Sequence, residues 1–444
     1  MRRGDVSVVV GTRSAVFAPL EQLGLIIVDE EHDTSFKQEE TPRYNGRDVA
    51  IVRGRNERAL VVLGSATPSL ESSQNAASAR YTRLVMERRV QDRPLASVSV
   101  VDMRQEYAEH GPGVILSGRL KNAIAKRLEA GQQSLILLNR RGLATAVFCR
   151  QCGGTIECPN CSVSLIVHTE GRDRHRARCH YCNYGTLVPK ACPACKGPYL
   201  ERRGFGTEKV AQEIETLWPA ARVARLDRDT VRRKGAAADI LRSMAAGSID
   251  VLVGTQMIAK GHDFPRVTLV GVVSADVGLG LADFRAAERT FQLLTQVAGR
   301  AGRGAEPGDA IVQTIYPHHY SIELACRQDY GAFFAKEIGY RQAMHYPPLT
   351  AMVNIVVKGS DARAALADAA ALAQHLRTNA GVGRFTVLGP APAPMAKLRG
   401  EYRAQIFLKG SHRPSMREAV LAALAAEPEM RRRVSVDIDP VSIL

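Results

Sequence analysis

The sequence contains no run of about 18 apolar residues, so no membrane-spanning helix is expected. After Met1-Arg2-Arg3-Gly4 the apolar stretch Val6 to Val10 is short, and it is expected to be a strand rather than a signal peptide. No low-complexity tail and no internal repeat other than paired cysteines is present, and with 45% hydrophobic and 24% charged residues a disordered or fibrous chain is excluded. Cysteine is nearly missing outside one window, with eight of nine between positions 149 and 195. That clustering favours metal over disulfides and a cytoplasmic protein. Acidic residues are in deficit, 45 against 60 basic, and the resulting net charge of +15 favours a polyanionic partner such as nucleic acid. The phosphate-binding pattern GxxxxGK[ST] is also absent, and with it the Lys and Gly-rich cradle for nucleotide phosphates.

At 444 residues the chain is too long for one core, and two to four domains are expected. Apolar β-type runs alternate with helical patterns up to about position 140 (VSVVV, LGLIIVD, ALVVLGSAT, SVSVV, SLILLN), as in a parallel α/β sheet. From 146 to 200 the periodicity weakens and Cys, Gly, Pro, Arg and His dominate, which marks an insertion held by something other than a core. Alternation resumes through ARVARLD, DVLVG and VTLVGVVSA to a helix over Phe284 to Ala298, a second α/β lobe. After Tyr346-Pro347-Pro348, AMVNIVVKG, an Ala-rich helix over 361–377, YRAQIFLKG and RRVSVDI predict a small α+β domain.

The clustered cysteines are four CxxC pairs: Cys149/Cys152, Cys158/Cys161, Cys179/Cys182 and Cys192/Cys195. Each pair turns two thiolates toward one point, and two pairs complete a tetrahedral sulfur site, so two structural Zn2+ ions are expected. A redox role needs one such pair beside a βαβ unit, not four pairs in a short segment. Spacing leaves the pairing open, either of sequence neighbours or of the outer pairs around the inner ones. His168, His175 and His180 are expected at the surface or as donors to the thiolates, and Cys326 in a packed core.

Leu25-Ile26-Ile27-Val28-Asp29-Glu30-Glu31-His32 is an apolar strand ending in carboxylates. Such an end lets Asp29 hold Mg2+ while Glu30 orients and deprotonates the water that attacks a γ-phosphate. Gly64-Ser65-Ala66-Thr67-Pro68 follows the next strand, at the place where helicases link hydrolysis to movement. Gln296-Val297-Ala298-Gly299-Arg300-Ala301-Gly302-Arg303 ends a helix, and Arg300 and Arg303 suit the arginine-finger role.

Together DEEH, GSATPS, TQMIAKGHDF and QVAGRAGRG, with four CxxC pairs inserted in the second lobe, resemble the PriA family of replication-restart DNA helicases over essentially the whole chain. The resemblance implies an α/β fold of two RecA-like helicase lobes, the first incomplete, with a two-zinc insertion holding each ion on four cysteines and a C-terminal α+β domain. The implied limits are a partial first lobe at 1–105, the start of the second at 106–145, the zinc insertion at 146–200, the rest of the second lobe at 201–343 and a DNA-binding domain at 344–444. It implies an ATP-driven 3′-to-5′ helicase that binds stalled or forked and single-stranded DNA and promotes primosome assembly. The implied partners are other restart proteins, single-stranded DNA-binding protein and the replicative helicase, with no membrane. It further implies the nested cysteine pairing, catalytic roles for Asp29, Glu30, His32, Gln296, Arg300 and Arg303, and contacts of Asp29, Gly261, Asp263, Arg300 and Arg303 with Mg2+ and ATP.

Residues 32–48 resemble the family's aromatic-rich loop, with Phe36 and Tyr44 stacking on bases and Lys37, Arg43 and Arg47 on phosphates. DNA contacts are also implied for Thr12, Arg13, Asn139, Arg140, Arg141, Thr255 and Lys260, and for Lys397, Tyr402 and Arg403 of the terminal domain. A complete relative should begin with a separate DNA-binding domain and the GxxxxGK[ST] loop. A shortened reading frame is therefore expected ahead of the alternative, a natural relative without ATPase activity, and poor ATP hydrolysis by the chain as written.

Overall fold

The computed structural model describes residues 6–86, 96–111, 113–139, 148–149, 151–152, 154–161, 163–170, 174–198, 200–201, 206–259 other than 228, 232 and 234, 264–279, 283–302, 306–380 and 384–443. The chain divides into two compact units, residues 1–84 with 437–441, and residues 85–436 with 442–444.

In the first unit β1 (Leu25–Val28) and β2 (Leu60–Leu63) pair in parallel, Leu25 beside Leu60 and Val28 beside Leu63. The helix between them, α1 (Gly46–Glu57), starts on Asn45, whose side chain accepts from the Arg47 amide. Gly54 lets this helix approach the sheet: a Cβ there would meet Val61 Cγ2 at 2.2 Å. A second helix, α2 (Leu70–Ala77), is capped by Ser69. Val6 to Val10, expected as a strand, forms none: among the described residues no strand pairs with it to take up its backbone groups.

The second unit opens with β3 (Ser97–Asp102), α3 (Met103–His110), α4 (Gly118–Glu129) and β4 (Gln133–Leu138). The insertion contributes β5 (Phe148–Cys149), β6 (Ile166–Glu170), β7 (Arg174–Arg178), β8 (Gly185–Leu187) and β9 (Leu200–Glu201). Strands β5 and β9 pair at its base, and β6, β7 and β8 form an antiparallel sheet. The lobe then continues through α5 (Thr207–Leu217), β10 (Val223–Leu226), α6 (Ala236–Ala245), β11 (Val251–Gly254), β12 (Val267–Val273), α7 (Ala286–Ala298), β13 (Asp309–Thr314), α8 (Tyr320–Cys326) and α9 (Tyr330–Ala343).

Its sheet is parallel throughout, in the order β10-β11-β4-β12-β13-β3. All residues of β4, β11 and β12 are buried, which explains why they read as continuous apolar runs rather than alternating ones. The strand β3 corrects the expected boundary at 105: it is the edge strand of this sheet, paired with β13, not a part of the first lobe. Its local pattern is the same for either sheet, so only the partner decides.

The terminal domain comprises β14 (Ala351–Gly359), α10 (Ala362–Thr378), β15 (Phe385–Leu398), β16 (Glu401–Gly410), α11 (Arg413–Ala426) and β17 (Val434–Ile438), with sheet order β15-β16-β14-β17. Ile355, Val357, Ile406 and Leu408 pack against Ala365, Ala369, Leu372 and Leu376 of α10. The small alanines let that helix sit close, and each fully buried Val, Ile or Leu contributes about 1.5–3 kcal/mol. Among the described residues no helix is long and apolar enough to cross a membrane.

Candidate nucleotide and metal sites

The end of β1 carries exposed Asp29 and Glu30 followed by buried Glu31. Glu30 holds φ at 48°, a left-handed backbone that side chains rarely adopt and that concentrates at functional positions. The turn is fastened to the segment after β2: the Glu31 amide donates to the Gly64 carbonyl at 3.0 Å, and His32 Nδ1 lies 2.7 Å from Ser65 Oγ. The DEEH and GSATP segments thus form one hydrogen-bonded body. Asp29 and Glu30 are presented at its mouth, a hard-oxygen set that suits a divalent cation.

Glu31, which the reading of the motif passed over, takes its Oε1 to the Ser69 amide at 2.6 Å. Its Oε2 accepts from Ser69 Oγ at 3.0 Å, Ser72 Oγ at 2.9 Å and Arg47 Nη1 at 3.1 Å. The only sequence signal was the Ser-x-x-Ser spacing that caps α2.

Three of the cations expected on phosphates, Arg13, Lys37 and Arg47, are turned inward. Arg13 donates to the carbonyls of Ser35 at 2.8 Å and Lys37 at 2.9 Å, and to Gln38 Oε1 at 3.1 Å. Lys37 is buried and pairs with Asp437 at 2.7 Å. Burial opposes the Arg47 charge, yet Asp48, Glu71 and Glu31 hold its pKa above the ordinary value. Arg43 is exposed and donates to the Glu39 carbonyl. Tyr44 packs edge-on against Phe17 with ring centroids 5.1 Å apart, while Phe36 is half-buried and Thr12 exposed.

In the second lobe Gln296 and Arg300 are half-buried at the end of α7, and Thr255 is half-buried after β11. Asn139 is buried, its amide donating to the Ala275 carbonyl at 2.9 Å. Lys397 stands over the Tyr402 ring at 4.9 Å, and Arg403 faces the opposite strand at Lys358. Arg140, Arg141, Lys260, Gly261, Asp263 and Arg303 lie outside the described residues.

The eight clustered cysteines meet as two groups, Cys149/Cys152/Cys192/Cys195 and Cys158/Cys161/Cys179/Cys182, all sulfurs of a group within 4.8 Å of one another. This is the nested pairing. The contacts Cys149–Cys195, Cys152–Cys192 and Cys158–Cys182 are each 3.6 Å, far beyond a disulfide bond. They match the edge of about 3.8 Å that a tetrahedron with metal–sulfur bonds of ~2.3 Å requires. A bond from Cys161 drives the Cys179 thiol down to about 5. Burial opposes ionisation of Cys192, but the amides of Cys195 and Ala194 bring it to about 7. Burial together with crowding pushes Cys152 and Cys158 up to about 12. In each group one thiol, Cys179 or Cys192, is thus held below the ordinary cysteine value by the hydrogen bonds it accepts.

His180, expected at the surface or near the thiolates, is instead buried between the insertion and the terminal domain. Its Nδ1 lies 2.7 Å from the Pro392 carbonyl, and because a carbonyl only accepts, this nitrogen carries the proton. The knuckle is held there by Gln405 Nε2, which donates to the His180 carbonyl at 2.6 Å, and by Tyr181 stacked on Phe407 at 5.0 Å. The side chains of His168 and His175 lie outside the described residues. Cys326 is half-buried at the end of α8, and burial raises its thiol to about 11.

Two protein-family models match the chain: "Helicase conserved C-terminal domain" over residues 206–305 and "Primosomal protein N C-terminal domain" over 342–441. Fold, strand-end carboxylates and paired cysteine groups thus define a helicase-type protein with a metal-binding insertion. The protein named "Replication restart protein PriA" of Bacillus subtilis is 42% identical over 100% of this chain and 55% of its own length. Its namesake in Synechocystis is 43% identical over 99% of this chain and 53% of its own length, and that of Treponema pallidum 40% over 98% and 65%. The chain belongs to the PriA family of replication restart proteins, and it spans about half the length of the first two of these curated relatives. Among solved structures, S. cerevisiae Dbp5 bound to RNA and ADP BeF3 aligns with a TM-score of 0.36 and 14% identity over 73% of this chain and 64% of that one, a likeness that carries no further argument.

Proposed function

We propose that the chain is the motor and metal-binding portion of an ATP-driven 3′-to-5′ helicase that acts at forked DNA in the cytoplasm and promotes primosome assembly and loading of the replicative helicase. The observation that carries the reading is the bonded DEEH–GSATP body with Glu30 in a left-handed conformation at its exposed mouth. Asp29 would hold Mg2+ there. Glu30 would orient and deprotonate the attacking water, with His32 passing the state of that turn to Ser65. Bound Mg2+–ATP supplies the γ-phosphate, and Gln296, Arg300 and Arg303 would meet its charge, with Gly261 and Asp263 at the nucleotide. The two cysteine groups are assigned to Zn2+, since four thiolates leave no open position for catalysis. The basic balance supports DNA as the partner, with single-stranded DNA-binding protein and other restart proteins as the assembly partners.

The test is steady-state ATP hydrolysis by the zinc-loaded chain, with and without forked DNA, beside a version extended upstream to include a GxxxxGK[ST] loop. Turnover by the extended protein that Glu30→Gln abolishes is the expected result; undiminished turnover by that variant overturns the assignment. A second reading, a non-catalytic fork-binding adaptor, is favoured by the lack of GxxxxGK[ST] in this sequence. It predicts salt-sensitive fork binding that ATP does not change.

A further inference from the structure

The two faces of the terminal sheet are covered differently. Val353, Ile355, Ile406 and Leu408 face the helices of their own domain, whereas Met352 and Phe407 belong to one cluster with Tyr181 and the cysteines Cys158, Cys161 and Cys179. The second face of the sheet is therefore closed by the knuckle Cys179-His180-Tyr181-Cys182 of the inner cysteine group. Alternate residues of a strand share a face, so Gln405 projects beside Phe407 toward that knuckle. Gln405 is 2% exposed, and a buried amide without a partner is costly. Its bond to the His180 carbonyl at 2.6 Å accounts for an amide at this place.

That carbonyl and the Tyr181 amide belong to one planar peptide group, in which C=O and N–H point in opposite directions. The carbonyl accepts from Gln405, and the N–H donates to Cys179 Sγ at 3.4 Å. Fixing the oxygen aims the N–H at the sulfur, and a bond to the carbonyl polarises the peptide and strengthens the donor at its other end. His180 Nδ1 on the Pro392 carbonyl and Tyr181 stacked on Phe407 keep this peptide from rotating. The outer group, Cys149/Cys152/Cys192/Cys195, is braced from within the insertion instead. The Gly154 amide donates to Cys152 Sγ at 3.3 Å, and the amides of Cys149 and Cys192 donate to the carbonyls of Gly154 and Gly197.

We propose that the C-terminal domain completes the inner metal site: Gln405 is a positioning residue for Cys179, and the inner Zn2+ and the docking of that domain stabilise each other. The proposal rests on the assignment of the cysteine groups to Zn2+ given above. Such linkage is reciprocal, so it is open to measurement from either end.

The 444-residue chain is loaded with zinc, and release of the metal to an excess of a coloured chelator is followed. Cys195→Ser, which disables the outer group, identifies the phase that belongs to the inner ion. Gln405→Met, close in volume but without a donor, is expected to speed release of the inner ion at least about tenfold and to leave the outer ion within about twofold, the lower end for a lost bond that supports a metal ligand. His180→Asn, whose amide can stand in for Nδ1–H, should release at the parent's rate, whereas His180→Leu should follow Gln405→Met. Ile406→Val removes a methyl group from the opposite face of the same strand and should leave both ions unaffected. From the other end, amide hydrogen exchange over 385–410 should rise in Cys161→Ser, which disables the inner group, and stay at the parent's level in Cys195→Ser.

Unchanged release from Gln405→Met, or equal acceleration of both ions, overturns the proposal. So does equal acceleration by Ile406→Val, which would mark a general loss of domain stability, and so does exchange over 385–410 that rises to the same extent in both cysteine variants. A parent chain that binds no zinc overturns the metal assignment itself, a result read before any variant is made.

Discussion

Arg341→Met tests how α7, the helix that bears Gln296 and ends two residues before Arg300, is held in place. Arg341 is completely buried in α9. Its Nε pairs with Glu337 at 2.7 Å, its Nη1 donates to the Pro347 carbonyl at 2.8 Å, and its Nη2 pairs with Glu288 of α7 at 3.2 Å. The guanidinium also lies 4.8 Å from the Phe284 ring centre. Met fills a similar volume, so the cavity term is small and the loss is electrostatic. Glu337 keeps the Tyr320 hydroxyl at 2.5 Å, while Glu288 keeps Arg285 at 3.3 Å. Breaking a buried pair costs about 3–5 kcal/mol. The remaining partners place this site at the lower end, about 3 kcal/mol by the same measure.

The assay is urea unfolding followed by the single tryptophan, Trp218, which closes α5 in the same lobe. With a slope of roughly 1–3 kcal/mol per molar, the midpoint falls by about 1–3 M. Adding Glu337→Gln neutralises the stranded charge and should restore part of the loss, about 1–2 kcal/mol of coupling. An unchanged midpoint, or a double variant whose loss equals the sum of the single ones, would refute the reasoning.

Three further outcomes are expected. Cys161→Ser should lower bound zinc from about two ions per chain to about one, read by metal analysis, because Cys161 belongs to only one of the groups; retention of both ions would contradict the nested pairing. Burial lowers the pKa of His319 from 6.5 to about 4, so the folded state resists its protonation. The associated stability is fully present above pH 6.5 and is lost as pH falls toward 4, by up to about 3 kcal/mol from the shift. His319→Asn, which can still cap α8, should flatten that part of the stability curve, and an unaltered curve would dismiss the assignment. Gly271→Val forces a Cβ to 2.8 Å from Leu120 and 2.9 Å from Ile136, an overpacking of about 1–3 kcal/mol seen as a lowered urea midpoint; no shift would mean that the strand has room.

Much of the fold was legible because its signals are local. The runs at Val251–Gly254 and Val267–Val273 announce buried parallel strands, Leu25–Val28 announces a parallel strand that is buried only at Val28, and 361–377 anticipates α10 at Ala362–Thr378. Eight cysteines in CxxC pairs imply two four-sulfur sites whatever the chain does between them. Other features were not legible. A basic residue in a polar loop looks the same whether it faces a phosphate or, like Arg13, a peptide carbonyl. Glu31 looks like a second copy of Glu30 until the serines at 69 and 72 fold over it.

Sequence alone determined the element types, the metal-binding chemistry and the motif that ends β1. These depend on side-chain periodicity and donor identity within a few residues. Tertiary structure decided which sheet receives β3, how four cysteine pairs divide into two sites, and which charges are consumed internally. Each of those choices depends on groups far apart in the chain, such as Cys149 with Cys195 or Lys37 with Asp437, and only the closed fold brings them within bonding distance.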